Sequence, residues 1–257
     1  GVSVQLLDEA YQLLQTLFSQ SEDVKRSYIS KFGGGQRGYT PFGTEHAKDS
    51  VVMDLKEFWH VGRELPESSP MANRYPPNIW PSEMPETAGI AMLEALTFPL
   101  EIPKNFLGHM VEDGNSILRL LHYPAIPEGT DPRCLRAAPH EDINFITLLP
   151  AATASGLQLK DRDGSWLDVV SEKGTLIVDA GDMLARLTND VIPSTTHQVV
   201  NTPEAKNQPR YSMPFFMHPH PDALLRCLPS CIGPGAKYPD ITSEEFLMQR
   251  LREIGLI

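Results

Sequence analysis

A mainly β protein with flanking helices, built round a double-stranded β-helix (jelly roll), is the fold that this chain predicts. Apolar residues at helical spacing are confined to its beginning and its end. From Ser116 onward, short apolar runs instead alternate with Gly, Pro, Asn and Asp. The 257 residues, 41% of them hydrophobic, suit one domain with a sizeable core. The expected order is a helical part over about 1–110, a jelly-roll core over about 115–220 and a closing helix over about 243–256.

Val2, Leu6, Leu7, Ala10, Leu13, Leu14 and Leu17 mark the first helix, and Ser21 ahead of Glu22-Asp23 caps a second, short one. Gly33-Gly34-Gly35 breaks the pattern. It lacks the Gly-Lys-Ser/Thr ending and the preceding strand of a phosphate loop, so that reading is discounted, and Tyr39–Gly43 reads as loop or turn. Pro66–Pro85 reads as an irregular surface connection whose Tyr75, Ile79 and Trp80 require burial. The strands expected next are Ile117–Tyr123, Ile143–Leu149, Leu157–Lys160, Trp166–Val170, Thr175–Asp179, His197–Val200 and Tyr211–His218. Asp161-Arg162-Asp163-Gly164 forms a hairpin turn between two of them. The last helix starts at Glu244, capped by Ser243, with Phe246, Leu247, Leu251 and Ile254 on one face.

With 22 Lys and Arg against 33 Asp and Glu, the net charge is −11, and no basic patch interrupts it. Phosphate backbones and anionic membranes are repelled, so neither nucleic acid nor membrane is an expected partner. Cys134, Cys227 and Cys231 form neither a disulfide framework nor a zinc pattern, and there is no long apolar run or export signal. A cytoplasmic protein is expected, with its natural start outside this numbering because position 1 is Gly. Oligomeric state is not legible.

The chemistry concentrates in Pro139–Leu149. At a strand's period of two, His140 and Asp142 project to one side, where an imidazole nitrogen and a carboxylate oxygen can meet one ion. His197, heading a later strand, supplies a third ligand. Two histidines and one carboxylate on one face of Fe(II) leave the opposite positions open for O2 and an organic co-substrate. Taken singly, each pair also reads as an ordinary hydrogen-bonded pair. A further element shifts the balance: Arg210 and Ser212 alternate to one side of a strand, and a guanidinium with a hydroxyl receives a carboxylate. No acidic residue lies close by in sequence, so a free carboxylate ligand would satisfy Arg210.

Across nearly its whole length the chain resembles the isopenicillin N synthase-like, 2-oxoglutarate/Fe(II)-dependent oxygenases. The resemblance rests on His140-Glu141-Asp142 with its apolar strand, Leu187-Thr188-Asn189 ahead of His197, the run Arg210–Phe216, and Tyr123-Pro124. It implies an enzyme that binds Fe(II) at His140, Asp142 and His197. The distal carboxylate of 2-oxoglutarate would lie on Arg210 and Ser212, with Tyr123 assisting. With O2, a small-molecule substrate would be oxidised, by default hydroxylated, with release of succinate and CO2. It also implies a substrate pocket lined by Phe58, His60, Arg119, Phe145, Leu187, Phe216 and His218. Of these, Phe58, Phe145, Leu187 and Phe216 read equally as plain core, and Glu141 is expected to face away from the metal.

Two departures stand out. Leu121 occupies the position where plant members carry a co-substrate-binding Asn, and Glu86–Leu100 is short for the long helix usual there. Two rivals remain at this point: an oxidase of the isopenicillin N synthase type, in which Arg210 and Ser212 grip the substrate itself, and a non-catalytic metal- or ligand-binding jelly roll.

Overall fold

The computed structural model describes residues 4–31, 34–48, 50–63, 69, 71, 74–79, 106–254 and 256. Trp80 and the expected short segment at 86–100 lie outside them. Helix α1 (Val4–Phe18) and the short α2 (Glu22–Arg26) open the chain, and Ser21 caps α2 by accepting from the Val24 N–H. Strands β1 (Gly38–Thr40), β2 (Glu57–Gly62) and β3 (Ile117–Tyr123) follow, with α3 (Phe106–Val111) before β3. Next come β4 (Ala137–His140), β5 (Ile146–Pro150), β6 (Leu157–Lys160), β7 (Trp166–Asp168) and β8 (Leu176–Ala180). Helix α4 (Asp182–Leu187), β9 (His197–Val199), β10 (Arg210–Ser212), β11 (Phe215–Met217) and α5 (Ser243–Glu253) complete the described elements.

Among the described residues the strands form two antiparallel sheets. One has seven strands in the order β1-β2-β3-β11-β5-β8, with β10 also paired to β3; the other is β4-β9-β6-β7. Strand parity decides what faces the space between them. Phe58, Leu121 and Tyr123 of the large sheet pack with Ala137, Leu157 and Val199 of the small one. The alternate residues Trp59, Leu120 and Tyr211 turn outward onto Leu7, Ala10, Tyr11, Leu14 and Phe18 of α1. A third cluster joins Phe246, Leu247 and Leu251 of α5 to Met183, Leu184 and Leu187 of α4 and to Phe145, Ile146 and Leu148. The jelly roll with flanking helices is thus realised, and Gly164 (φ 88°) sits in the expected β6–β7 hairpin.

Several expectations need correction. Tyr39-Thr40 is strand rather than turn, because Gly38–Thr40 pairs with Phe58–His60. The run 211–218 divides at Met213-Pro214: β10 pairs with residues 121–123 of β3 and β11 with 117–118, since Pro lacks the N–H a continuous ladder needs. The cap of α5 is Thr242, not Ser243. Its side chain accepts from the Glu245 N–H while Glu245 reaches back to the Thr242 N–H. Helix α4 was not foreseen. No helix among the described residues is long and apolar enough to cross a membrane.

Candidate active site

His140 ends β4 and His197 begins β9, and the two are directly paired across the small sheet. Asp142 lies beyond the end of β4, so it reaches the histidines through a turn and not along a shared strand. That turn is held by α4: Asp182 N donates to Asp142 O (2.7 Å) and Met183 N to Ile143 O (3.2 Å). One ligand-capable atom from each of His140, Asp142 and His197 lies within 4.8 Å of the others.

Each of the three has its second polar atom engaged by the protein. His140 Nδ1 faces Ala138 O at 2.7 Å and His197 Nδ1 faces Thr195 O at 3.0 Å. A carbonyl accepts, so each Nδ1 carries the proton and each Nε2 keeps its lone pair. Thr147 Oγ1 donates to Asp142 Oδ2, leaving Oδ1 free, 3.9 Å from His197 Nε2. Burial, reinforced by His197 and Lys56, holds the His140 pKa well below the usual histidine range, so the ring stays neutral as ligation requires. Burial and the neighbouring Asp142 push the Asp179 carboxyl upward.

Two cavities meet at this triad. The narrower, about 70 Å³, runs from His140, Asp142 and His197 to Tyr123, Arg210 and Ser212. Arg210 is 2% exposed. Its Nε donates to Ala154 O (3.0 Å) and its guanidinium lies 5.1 Å from the Tyr123 ring centroid. Its Nη1 is buried without a hydrogen-bond partner among the described residues. Tyr123 and Leu121 are the cross-strand partners of Arg210 and Ser212, so Leu121 puts an apolar side chain beside the Ser212 hydroxyl. The wider cavity, about 220 Å³, takes in His60, Arg119, Phe216 and His218 together with Glu45, Lys56 and residues of α5.

Of the residues expected to line a pocket, Phe145 and Leu187 are elsewhere. Both are fully buried in the cluster of α4 and α5. The chain turns at 143–145, so the alternation of β5 does not extend back to Phe145, and Leu187 is helical. Phe58 is also core; it touches the site through the Arg119 guanidinium, 4.3 Å from its ring centroid, and through the His60 ring, 4.8 Å away. Glu141 accepts a hydrogen bond from Thr196 Oγ1, although its side chain still borders the wider cavity. Gly35 of the Gly-rich segment reaches this site, its carbonyl oxygen lying 2.6 Å from His60 Nδ1.

Sequence reading missed a charged group on the cavity wall. Lys56, 4% exposed, pairs with Glu45 (2.8 Å) and Asp54 (2.9 Å), and Glu45 also meets Arg119 (3.2 Å). Asp54 Oδ1 accepts from Ala138 N (3.0 Å), two residues before His140. A signal was present, since Asp54, Lys56 and Glu57 interrupt a segment otherwise made for burial.

The 2OG-Fe(II) oxygenase superfamily profile matches residues 114–219, and a second, described as non-haem dioxygenase in morphine synthesis N-terminal, matches residues 1–83. The 2-oxoglutarate-dependent dioxygenase citB of Monascus ruber is 30% identical over 275 residues, covering 97% of this chain and 82% of that protein. The chain belongs to the 2OG-Fe(II) oxygenase superfamily. A crystal structure of a 2OG-Fe(II) oxygenase family protein from Caulobacter crescentus shares 42% identity at a TM-score of 0.85, covering 98% of this chain and 87% of that one. A full-length Neurospora crassa protein crystallised in complex with alpha-KG shares 29% identity at a TM-score of 0.81, covering 98% and 83%. This oxygenase therefore works with Fe(II), 2-oxoglutarate and O2, and the reading as a non-catalytic jelly roll is set aside.

Proposed function

We propose that His140 Nε2, Asp142 Oδ1 and His197 Nε2 hold the Fe(II), that Arg210, Ser212 and Tyr123 hold the distal carboxylate of 2-oxoglutarate, and that the wider cavity takes a small organic metabolite for hydroxylation. The observation that carries this reading is the unpartnered Arg210 Nη1, buried at the far end of the cavity that begins at the triad. A buried guanidinium without an anion is costly, and a carboxylate offers it two parallel, charge-assisted hydrogen bonds. The donor set fits the metal: two neutral imidazoles and one carboxylate suit Fe(II) and leave coordination positions open.

Bound iron and co-substrate supply the oxidant for an unactivated C–H bond, with succinate and CO2 as by-products. The protein's own residues do the rest. Ala138 O, Thr195 O and Thr147 fix the orientation of the three ligands, and Phe58 and Phe216 flank the Arg119 guanidinium on the substrate side, with ring centroids 4.3 and 5.1 Å away. A cavity of about 220 Å³ favours a small substrate. The Neurospora crassa protein is seen with thymine and with 5-formyluracil, compounds of suitable size.

The test is metal content and succinate release. Wild-type protein is expected to bind one Fe(II) per chain, while His140→Ala, Asp142→Ala and His197→Ala each lose both the iron and the activity. Turnover with iron retained in any of the three variants would remove that residue from the metal site.

A further inference from the structure

The charged group beside the triad has one donor and one acceptor to spare. Lys56 Nζ meets Glu45 Oε1 at 2.8 Å and Asp54 Oδ2 at 2.9 Å, so among the described residues these two carboxylates take two of the three N–H groups that an ammonium carries. Lys56 borders both cavities, as do Arg119, His140, Asp142 and Phe216. Lys56 therefore stands at the junction where the reacting end of a substrate must meet the metal. Glu45 also lines the wider cavity, and its Oε2 is buried with no hydrogen-bond partner among the described residues. Its other oxygen is shared by Lys56 and by Arg119 Nη1 (3.2 Å), while Arg119 Nε is occupied by His60 Nε2 (2.6 Å).

The charges in this group balance: Lys56 and Arg119 against Glu45 and Asp54. A substrate carboxylate placed here would add a charge to a group whose cations are already paired, and a hydrocarbon would leave the spare donor and acceptor unmade. A group offering both an acceptor oxygen and an N–H, without charge, meets both needs.

We propose that the substrate is a neutral cyclic amide or imide whose C=O accepts from Lys56 Nζ and whose N–H donates to Glu45 Oε2, beside the C–H bond that is oxidised. The proposal rests on the wider cavity being the substrate side, and it makes Lys56 and Glu45 specificity-determining residues.

The test uses the Fe(II)-loaded protein with 2-oxoglutarate under nitrogen, titrated calorimetrically with thymine, uracil, 2-pyridone and glutarimide. Each probe is paired with its N-methylated form and with a neutral, carbonyl-free carbocycle of the same ring size; benzoate represents anions. At least one amide or imide is expected to bind, and its N-methylated and carbonyl-free mates to bind at least about tenfold more weakly, because a site built for a hydrogen bond rejects the analogue that lacks it. Glu45→Gln keeps the shape and one oxygen for Lys56 but turns the spare acceptor into a donor, so it should abolish the discrimination against N-methylation. Lys56→Arg keeps the charge in a different shape and should weaken binding of the preferred amide.

Failure of every amide and imide to bind, equal binding by the N-methylated or carbonyl-free mates, or tightest binding by benzoate would each overturn the proposal. Succinate release without any probe, measured in air, reports separately on the triad and Arg210. Amide binding without succinate would uphold this inference while sinking the assignment of the iron and co-substrate residues.

Discussion

A guanidinium as deeply buried as Arg210, with one nitrogen unpartnered, is held in place by Ala154 O and the Tyr123 ring, and neither neutralises it. Burial pulls its pKa below the usual arginine value. Removing the guanidinium strands the distal carboxylate of the co-substrate, at a cost of about 2–5 kcal/mol by analogy with truncating one partner of a buried charge pair. Arg210→Ala is therefore expected to raise the apparent KM for 2-oxoglutarate at least about tenfold. Arg210→Lys should do so less severely because it keeps the charge but loses the planar fork. Ser212→Ala should act more weakly still, and iron content should be unchanged in all three. Turnover that ignores 2-oxoglutarate and responds to Arg210→Ala only through substrate affinity would transfer Arg210 to the substrate side. Strand alternation and the family resemblance singled out His140, Asp142, His197, Arg210 and Ser212, and the structure brings all five to one cavity. Lys56, Glu45 and Asp54 were not legible in the sequence. They meet only through the fold, and the one hint in sequence, charges at Asp54, Lys56 and Glu57 interrupting a segment made for burial, does not say which residues pair.

Helix α4 shows how an element unforeseen in the sequence can govern the metal group. Its first N–H groups dock on the carbonyls of the Asp142–Asn144 turn, and Gly181, just ahead of it, passes so close that an added Cβ would stand 2.2 Å from Asn144 O and 2.9 Å from Asp142 O. These are backbone atoms with little room to retreat. Gly181→Ala is expected to displace the turn and lower Fe(II) affinity measurably in a metal titration, with α1 and the outer cluster unaffected in hydrogen exchange. Unchanged iron affinity would show that the turn is not set by α4. At the other end of the chain, Thr242→Ala removes the capping box of α5 and should cost about 1 kcal/mol in urea unfolding. Long periodic segments such as α1, β3 and α5 were legible. Helix α4 spans only six residues, and its Met183, Leu184 and Leu187 are held in the cluster that also takes in Phe145, Ile146 and the apolar face of α5, a tertiary support that no local periodicity announces. Strand β1 was hidden for a similar reason: three residues that begin with Gly38 become strand only once β2 is beside them.

Over the whole molecule, most ionised side chains lie outside, but the space between the sheets encloses histidines whose neutrality the fold enforces. Burial, with Arg119 adding to it, holds His60 well below the usual histidine pKa, and burial brings His218 down to about 4. In the unfolded chain these rings take up protons near pH 6.5. Below that pH the unfolded state binds protons that the folded state refuses. Stability is then flat at neutral pH and falls as the pH drops from about 6.5, by about 1.4 kcal/mol per pH unit for each such ring until its folded value is reached. For His218 the loss levels off near pH 4. A second decline follows below about pH 4.3, the ordinary Glu value. Glu45 and Glu57 are the groups behind it. Burial alone would raise both, but Arg119 and Lys56 overcome it and hold Glu45 below the usual carboxylate range, and His122, Lys25 and Tyr39 do the same for Glu57. Acid therefore protonates these carboxylates in the unfolded chain first. Urea midpoints of metal-free protein between pH 7.5 and 3.5 are expected to show both declines. His218→Phe, which removes the titrating ring from its buried place, should make the first one shallower. Asp179, whose carboxyl burial and Asp142 push up to about 6, works in the opposite sense and adds stability as the pH falls through that value, so the ring's share is read as the difference between wild type and His218→Phe; no difference between them from pH 7 to 5 would mean that the His218 ring is protonated in the folded chain after all.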